Sequence, residues 1–122
     1  MISISDERFQ ELINHALETL PQERMPYVQN VAFLFADEPT PAQRVQLKLR
    51  HDESLLGLYE GVPLPQRQGQ QTMLPDRITL FKLPLCAGVA SEAELQEAIR
   101  HTMWHELAHY FGLNHDQIHA LE

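Results

Sequence analysis

The chain has 122 residues, of which 43% are hydrophobic, enough for one domain with its own core. Seventeen acidic residues against nine basic ones give a formal net charge of −8, which argues against a nucleic acid and against an anionic membrane surface as partner. No apolar run is long enough to span a bilayer, the N-terminus lacks signal-peptide features, and the single cysteine, Cys86, cannot form an intrachain disulfide. We therefore expect one domain over residues 1–122 in the reducing cytoplasm.

The first part of the chain predicts a helix followed by a strand. A helix is expected over residues 5–20, with Ser5 as its N-cap and Pro21 after its end; its apolar residues recur at helical spacing (Phe9, Leu12, Ile13, Ala16 and Leu20). Residues 31–35 are continuously apolar, which predicts a strand over residues 28–35 that is buried on both faces. The turn-rich residues 37–41 end that strand.

The middle of the chain is less regular. In residues 42–53, alternation of Val45, Leu47 and Leu49 with polar residues favours a strand with one exposed face, and a short helix over 42–51 is the alternative. A second apolar run covers residues 55–59, and a loop rich in Gly, Pro and Gln is expected over 61–76.

The last part of the chain predicts a strand, a connector and a long helix. The strand is expected over residues 77–82 and the connector over 84–89. Ser91 and Glu94 form the pattern of a capping box, which starts a helix that runs to about Phe111. Gly112 is suited to the position after its end, and a short terminal helix is expected from Asn114 to Leu121. This order predicts an α+β fold in which a small mixed sheet packs against the long helix.

Histidines are concentrated at the end of the chain, where five of the seven fall within the last 22 residues. Residues 105–115 read H-E-x-x-H-x-x-G-x-x-H. On a helix, His105 and His109 are offset by about 40° around the axis and about 6 Å along it, so both imidazoles can bind one metal ion. Two imidazoles and a carboxylate buried in a helix with apolar flanks also favour a bound cation as their partner.

The remaining residues of this motif have separate predicted roles. Glu106 is rotated by about 100° from His105, so it is placed to meet a water at the ion rather than to act as a ligand. Gly112 permits a sharp turn that brings His115 back as the third ligand. Three protein ligands leave the fourth position to water, the arrangement of catalytic rather than structural zinc. The sequence thus predicts one Zn²⁺ per chain, although iron, cobalt or nickel would also suit histidine ligands.

Other conspicuous residues have simpler interpretations. His101 lies about 6 Å along the helix from His105 but about 12 Å from His109, so a triad of these histidines on one ion is disfavoured. His119 is expected at the surface, and Asp116 is expected to complement the dipole of the terminal helix or to orient a histidine. Cys86 is expected to be a small buried side chain.

The extended motif resembles that of the metzincin-type zincins. Together with residues 55–64 (LLGLYEGVPL) and 74–81 (LPDRITLF), it resembles a small bacterial family of minimal zincin-like metallopeptidases, a similarity that covers most of residues 28–121. The resemblance implies a compact fold in which the motif helix packs on a small sheet, with His105 and His109 as zinc ligands and Glu106 as catalytic base. Many relatives carry Asp at the position of His115, so the third ligand is the variable one.

These observations favour a zinc-dependent hydrolase that cleaves peptide or protein substrates, with Glu106 as general base. A second donor besides zinc should stabilise the oxyanion, and Tyr59 is a candidate, whereas Tyr110 points away from the two histidines. A substrate peptide could add to the edge of a strand beside the helix, for which residues 77–82 are the candidate. The alternatives are a metal-stabilised binding module without turnover and a structural domain that binds no metal.

Overall fold

A computed structural model describes residues 1–67, 74–113 and 116 of the chain. The predicted α+β class is confirmed. Two short 3₁₀ turns cover Met25–Tyr27 and Leu64–Gln66. The helices and strands follow in the order α1 (Asp6–Thr19), β1 (Val31–Ala36), α2 (Pro41–Gln46), β2 (Gly57–Glu60), β3 (Asp76–Phe81), α3 (Lys82–Ala87) and α4 (Glu92–Tyr110).

The three strands form one mixed sheet in the order β1-β3-β2. β1 pairs with β3 in parallel, and β2 pairs with β3 in antiparallel orientation, with Gly57 opposite Leu80. The strand predicted over residues 77–82 is therefore the central one. The strand predicted over 28–35 is also present, but the expectation that both of its faces are buried is wrong. Leu34 is 45% exposed, because the core packs only against the other face of β1, through Phe33 and Phe35.

Helices α1 and α4 pack against each other and against the sheet. The predicted N-cap of α1 is confirmed, since the Ser5 side chain accepts a hydrogen bond of 3.1 Å from the Arg8 backbone N–H. Each buried Leu, Ile or Phe side chain contributes about 1.5–3 kcal/mol to folding. The two helices supply most of the fully buried side chains (Phe9, Leu12, Ile13 and Ala16 from α1; Leu95, Ile99, Met103 and Leu107 from α4).

Two segments differ from the sequence-based expectation. The strand favoured within residues 42–53 is wrong, since this segment begins with helix α2. Thr40 and Gln43 form a full capping box, Pro41 occupies the first turn, and these local signals outweigh the alternation of apolar residues. Val45 is 80% exposed, so that alternation buries nothing here.

The connector expected over residues 84–89 is also wrong in part, because Lys82–Ala87 form helix α3. Pro84 lies in its first turn, where a missing N–H costs no hydrogen bond. The helix buries Leu85 and Cys86, which confirms the expected burial of that thiol.

Some predictions lie outside the described residues. These are the terminal helix from Asn114 to Leu121, apart from Asp116, and the part of the 61–76 loop that covers residues 68–73. Among the helices of the described ranges, none combines the length and the apolar character that crossing a bilayer requires.

Candidate metal centre

Helix α4, which carries the histidine motif, begins with the predicted cap. The Ser91 side chain accepts a hydrogen bond of 3.1 Å from the Glu94 backbone N–H. The Glu94 carboxylate accepts one of 2.7 Å from the Ala90 N–H rather than from that of Ser91, so the capping box is closed one residue earlier than expected. This cap fixes the start of the helix that carries the candidate ligands.

The C-terminal end of α4 turns at Gly112, as predicted. Gly112 has φ +76°, a left-handed conformation that favours glycine. The Leu113 N–H donates to the Ala108 carbonyl at 3.0 Å, which closes the helix end. A Cβ at Gly112 would lie 2.8 Å from Cγ of Pro65, so glycine also permits the close approach of residues 61–67 to the helix.

His105, Glu106 and His109 form a half-buried cluster on α4. One ligand atom from each residue lies within 4.8 Å of the other two. The two imidazole rings are 5.2 Å apart between centroids, at 73° to each other. In a tetrahedral zinc site with bonds of about 2.1 Å, ligand atoms are about 3.4 Å apart, so small side-chain rotations would bring His105 and His109 onto one ion with Glu106 beside it. The donor set therefore fits a metal such as zinc.

Glu106 is fixed by the neighbouring strand. Its Oε1 accepts a hydrogen bond of 3.0 Å from the backbone N–H of Tyr59 in β2. Burial raises the pKa of the Glu106 carboxyl, while the charge of His105 and the Tyr59 N–H oppose that rise. The carboxylate therefore has a defined position between α4 and the edge strand.

Strand β2 approaches α4 closely at Gly57. A Cβ on Gly57 would lie 2.7 Å from Cγ2 of Thr102 and 3.4 Å from Cγ of Glu106. The expectation that residues 77–82 provide a strand edge beside the site is wrong, because β3 has a neighbour on both sides and β2 lies between it and the outer edge. A glycine in the middle of the apolar run at residues 55–59, where another backbone or helix can approach closely, is the sequence signal that could have pointed to β2.

A groove of about 270 Å³ lies beside the cluster. It is lined by side chains or backbone of Leu58, Tyr59, Pro63, Glu106 and His109. The groove thus joins the edge strand, the 61–67 segment and the histidine cluster, and it can hold a small part of a ligand next to the candidate metal position.

Other predicted residues lie away from this cluster or outside the described ranges. The third ligand, His115, and His119 are outside them, so His115 stays a prediction. His101 and Asp116 are exposed. Tyr110 points away as predicted, since its hydroxyl donates to the Tyr27 carbonyl at 3.1 Å.

A buried polar network next to the site was not predicted. Asp76 accepts hydrogen bonds from the Tyr59 hydroxyl at 2.5 Å and from Arg67 at 2.6 Å, and the side chains of Arg67 and Asp76 are 6% and 3% exposed. Burial, together with the Asp76 hydrogen bond, raises the pKa of the Tyr59 phenol. The Tyr59 hydroxyl, a candidate oxyanion donor, is thus engaged by Asp76. Sequence spacing gave no signal that these residues would meet.

The fold and the His-Glu-His cluster define a small α+β domain of the kind that carries a metal on a helix beside a sheet. The chain belongs to the zincin-like metallopeptidase family, whose family model matches residues 28–122. The family assignment suggested by the motif is thereby confirmed, and the fold of the family implies a metal, typically zinc.

A solved structure is similar to this chain over most of its length. It is a conserved hypothetical protein from Thermo thermophilus, with 25% sequence identity and a TM-score of 0.59. The match covers 88% of this chain and 94% of the other. No curated protein matches the chain.

Proposed function

We propose that the protein is a zinc-dependent hydrolase that cleaves peptide bonds. The observation that carries the proposal is the convergence of His105, Glu106 and His109 beside a groove and a strand edge. His105 and His109 would hold one zinc ion per chain, with His115 as the predicted third ligand. Membership of the zincin-like metallopeptidase family supports this assignment.

Zinc bound there would supply a Lewis acid and lower the pKa of a coordinated water. Glu106 is the general base: it accepts a proton from the attacking water and delivers it to the leaving amine. Because the Tyr59 N–H engages Oε1, we assign the proton transfer to Oε2. The Tyr59 N–H then serves to hold this carboxylate in place and does not react.

The surroundings of the cluster favour an extended peptide as substrate. N–H groups alternate in direction along a strand, so the Tyr59 N–H that reaches Glu106 marks the side of β2 that faces away from β3. No other strand pairs with that side in the described part of the chain. A peptide would pair along this edge with outward backbone groups other than the Tyr59 N–H, which Glu106 occupies, and place one side chain against Leu58 and Pro63 in the groove.

The test compares Glu106→Gln with wild type and with Glu97→Gln, an exposed carboxylate on the same helix. Zinc-loaded protein is incubated with a peptide library, and products are identified by mass spectrometry. Glu106→Gln should retain zinc and lose turnover by about 100-fold or more, while Glu97→Gln should cleave like wild type. Zinc-loaded wild type that binds peptides without cleaving them would overturn the proposal in favour of a binding module.

A further inference from the structure

Asp76 is buried at the start of β3 and collects three donors. The Tyr59 hydroxyl and Arg67 bind its Oδ2, and the Val62 N–H binds its Oδ1 at 3.3 Å. A Cβ on Gly61 would lie 2.2 Å from Cγ of Asp76, so the backbone that leaves β2 rests directly on this carboxylate. Asp76 therefore fixes the point at which β2 ends.

Arg67 extends this network across the segment that borders the groove. Its guanidinium donates to the Val62 carbonyl at 3.0 Å and to the Gln29 carbonyl at 3.2 Å. It also stacks over the ring of Tyr110, 5.1 Å from the centroid. An unpaired buried charge is costly, so Arg67 and Asp76 stay paired. The pair therefore holds the Val62 and Gln29 backbone, to which Arg67 donates, in one arrangement.

Tyr59 connects this network to the candidate catalytic carboxylate. Its hydroxyl is held by Asp76, and its backbone N–H is held by Glu106. The residue lies at the edge of the sheet, where its outward N–H has no strand partner in the described ranges. The pairing of β2 with β3 sets the general direction of this N–H, and the Tyr59 side chain, tied to Asp76, is a second restraint on it.

We propose that Asp76 and Arg67 are positioning residues, which act through the Tyr59 side chain to hold the Tyr59 N–H against Glu106. The inference rests on the proposed role of Glu106 in the reaction. Within the described ranges, the hydrogen bonds of Asp76 and Arg67 join Tyr59, Val62, Gln29 and each other, so their effect on the base runs through Tyr59.

The test measures amide hydrogen exchange by NMR on the metal-free full-length protein. Tyr59→Phe removes the hydroxyl and leaves the backbone N–H in place. The exchange rate of the residue 59 amide should rise about three- to tenfold, the range expected for a weakened hydrogen bond. Glu106→Ala gives the reference rate for this amide without its acceptor.

Tyr27→Phe is the control, since this tyrosine is 63% exposed and its side chain is not among the contacts of Asp76 or Arg67 in the described ranges. It should leave the residue 59 amide unchanged. The amides of Leu58 and Glu60 face β3 and should stay protected in Tyr59→Phe, whereas a purely structural role of the hydroxyl would raise exchange at all three positions together. Exchange at residue 59 that equals wild type in Tyr59→Phe would also overturn the inference.

Asp76→Asn provides a second variant and Arg67→Lys a conservative one. Asp76→Asn should raise exchange at residue 59 as Tyr59→Phe does, and Arg67→Lys should raise it less, because the positive charge beside Asp76 is kept. An unchanged rate in a folded Asp76→Asn protein would contradict the inference. No zinc and no substrate enter this experiment, so its outcome is independent of whether the protein cleaves peptides.

Discussion

The backbone N–H of Tyr59 lies 3.0 Å from Oε1 of Glu106, although 47 positions separate the two residues in the sequence. This bond joins the edge strand β2 to the helix that carries the histidine motif. It exists because Gly57 lets the strand come within van der Waals distance of Thr102 on that helix. The position of the candidate base thus depends on packing between strand and helix as well as on the motif itself.

Replacement of Gly57 by alanine should disturb this packing. A Cβ at residue 57 would meet Thr102 at 2.7 Å, and overpacking of this kind costs about 1–3 kcal/mol of unfolding free energy. Gly88→Ala is the control, because a Cβ there meets nothing closer than 3.8 Å. Urea unfolding should show a lower midpoint for Gly57→Ala only. Equal midpoints for the two variants would show that β2 can move away from α4 without cost.

Zinc uptake should depend on the motif histidines. Wild-type protein exposed to limiting zinc and freed of unbound metal should retain one ion per chain by elemental analysis, and His109→Ala should retain none. His101→Ala, an exposed histidine on the same helix, should bind zinc as wild type does. Zinc at about 100 times its Kd should also stabilise wild type by about 2.7 kcal/mol. Wild-type protein without retained metal would contradict the metal site.

The residues that converge through one helix could be predicted from the sequence. Positions 105, 106 and 109 are related by helix geometry alone, and the capping residue Ser91 and the turn at Gly112 mark the ends of that helix. The helix that these local signals predict is also the helix found in the fold, because α4 is long and is packed along its length.

The residues that meet through tertiary packing could not be predicted. Which strand lies at the edge beside α4 depends on sheet order, and the sequence gives no register for β2. Arg67 follows a 3₁₀ turn and Asp76 begins β3 nine positions later, so no helical or strand period relates the two. The segment at residues 41–46 shows the reverse case, since a local cap at Thr40 outweighs an alternating pattern that had no face to bury.

The thiol of Cys86 should react slowly, and its ionisation should lower the stability of the folded protein at alkaline pH. The side chain is 4% exposed, and burial raises its pKa. The unfolded chain therefore releases the thiol proton at a lower pH than the folded chain, so stability falls as pH rises above the ordinary range of cysteine. A disulfide reagent should modify the folded protein at least about tenfold more slowly than the urea-unfolded chain.

Cys86→Ala is the comparison for the pH effect. The decrease in melting temperature between about pH 8 and pH 10 should be smaller in this variant than in wild type, because the shifted thiol is gone. Parallel decreases in the two proteins, or equal modification rates for folded and unfolded wild type, would contradict the burial of this thiol.

Loss of the Asp76 charge should destabilise the protein more than loss of an exposed carboxylate. Arg67 is 6% exposed in its side chain, so Asp76→Asn leaves a buried guanidinium without its counter-charge, at a cost of about 3–5 kcal/mol. Glu97→Gln breaks the exposed pair with Arg100 and should cost at most about 1 kcal/mol. Unfolding in guanidinium chloride at neutral pH measures the free energy of unfolding of both variants. If Asp76→Asn lowered the free energy of unfolding no more than Glu97→Gln does, water would have to reach Arg67, and the Arg67–Asp76 pair could not fix the end of β2.

A double variant, Arg67→Met with Asp76→Asn, should recover part of the lost stability, because it removes the unpaired charge and keeps most of the buried volume.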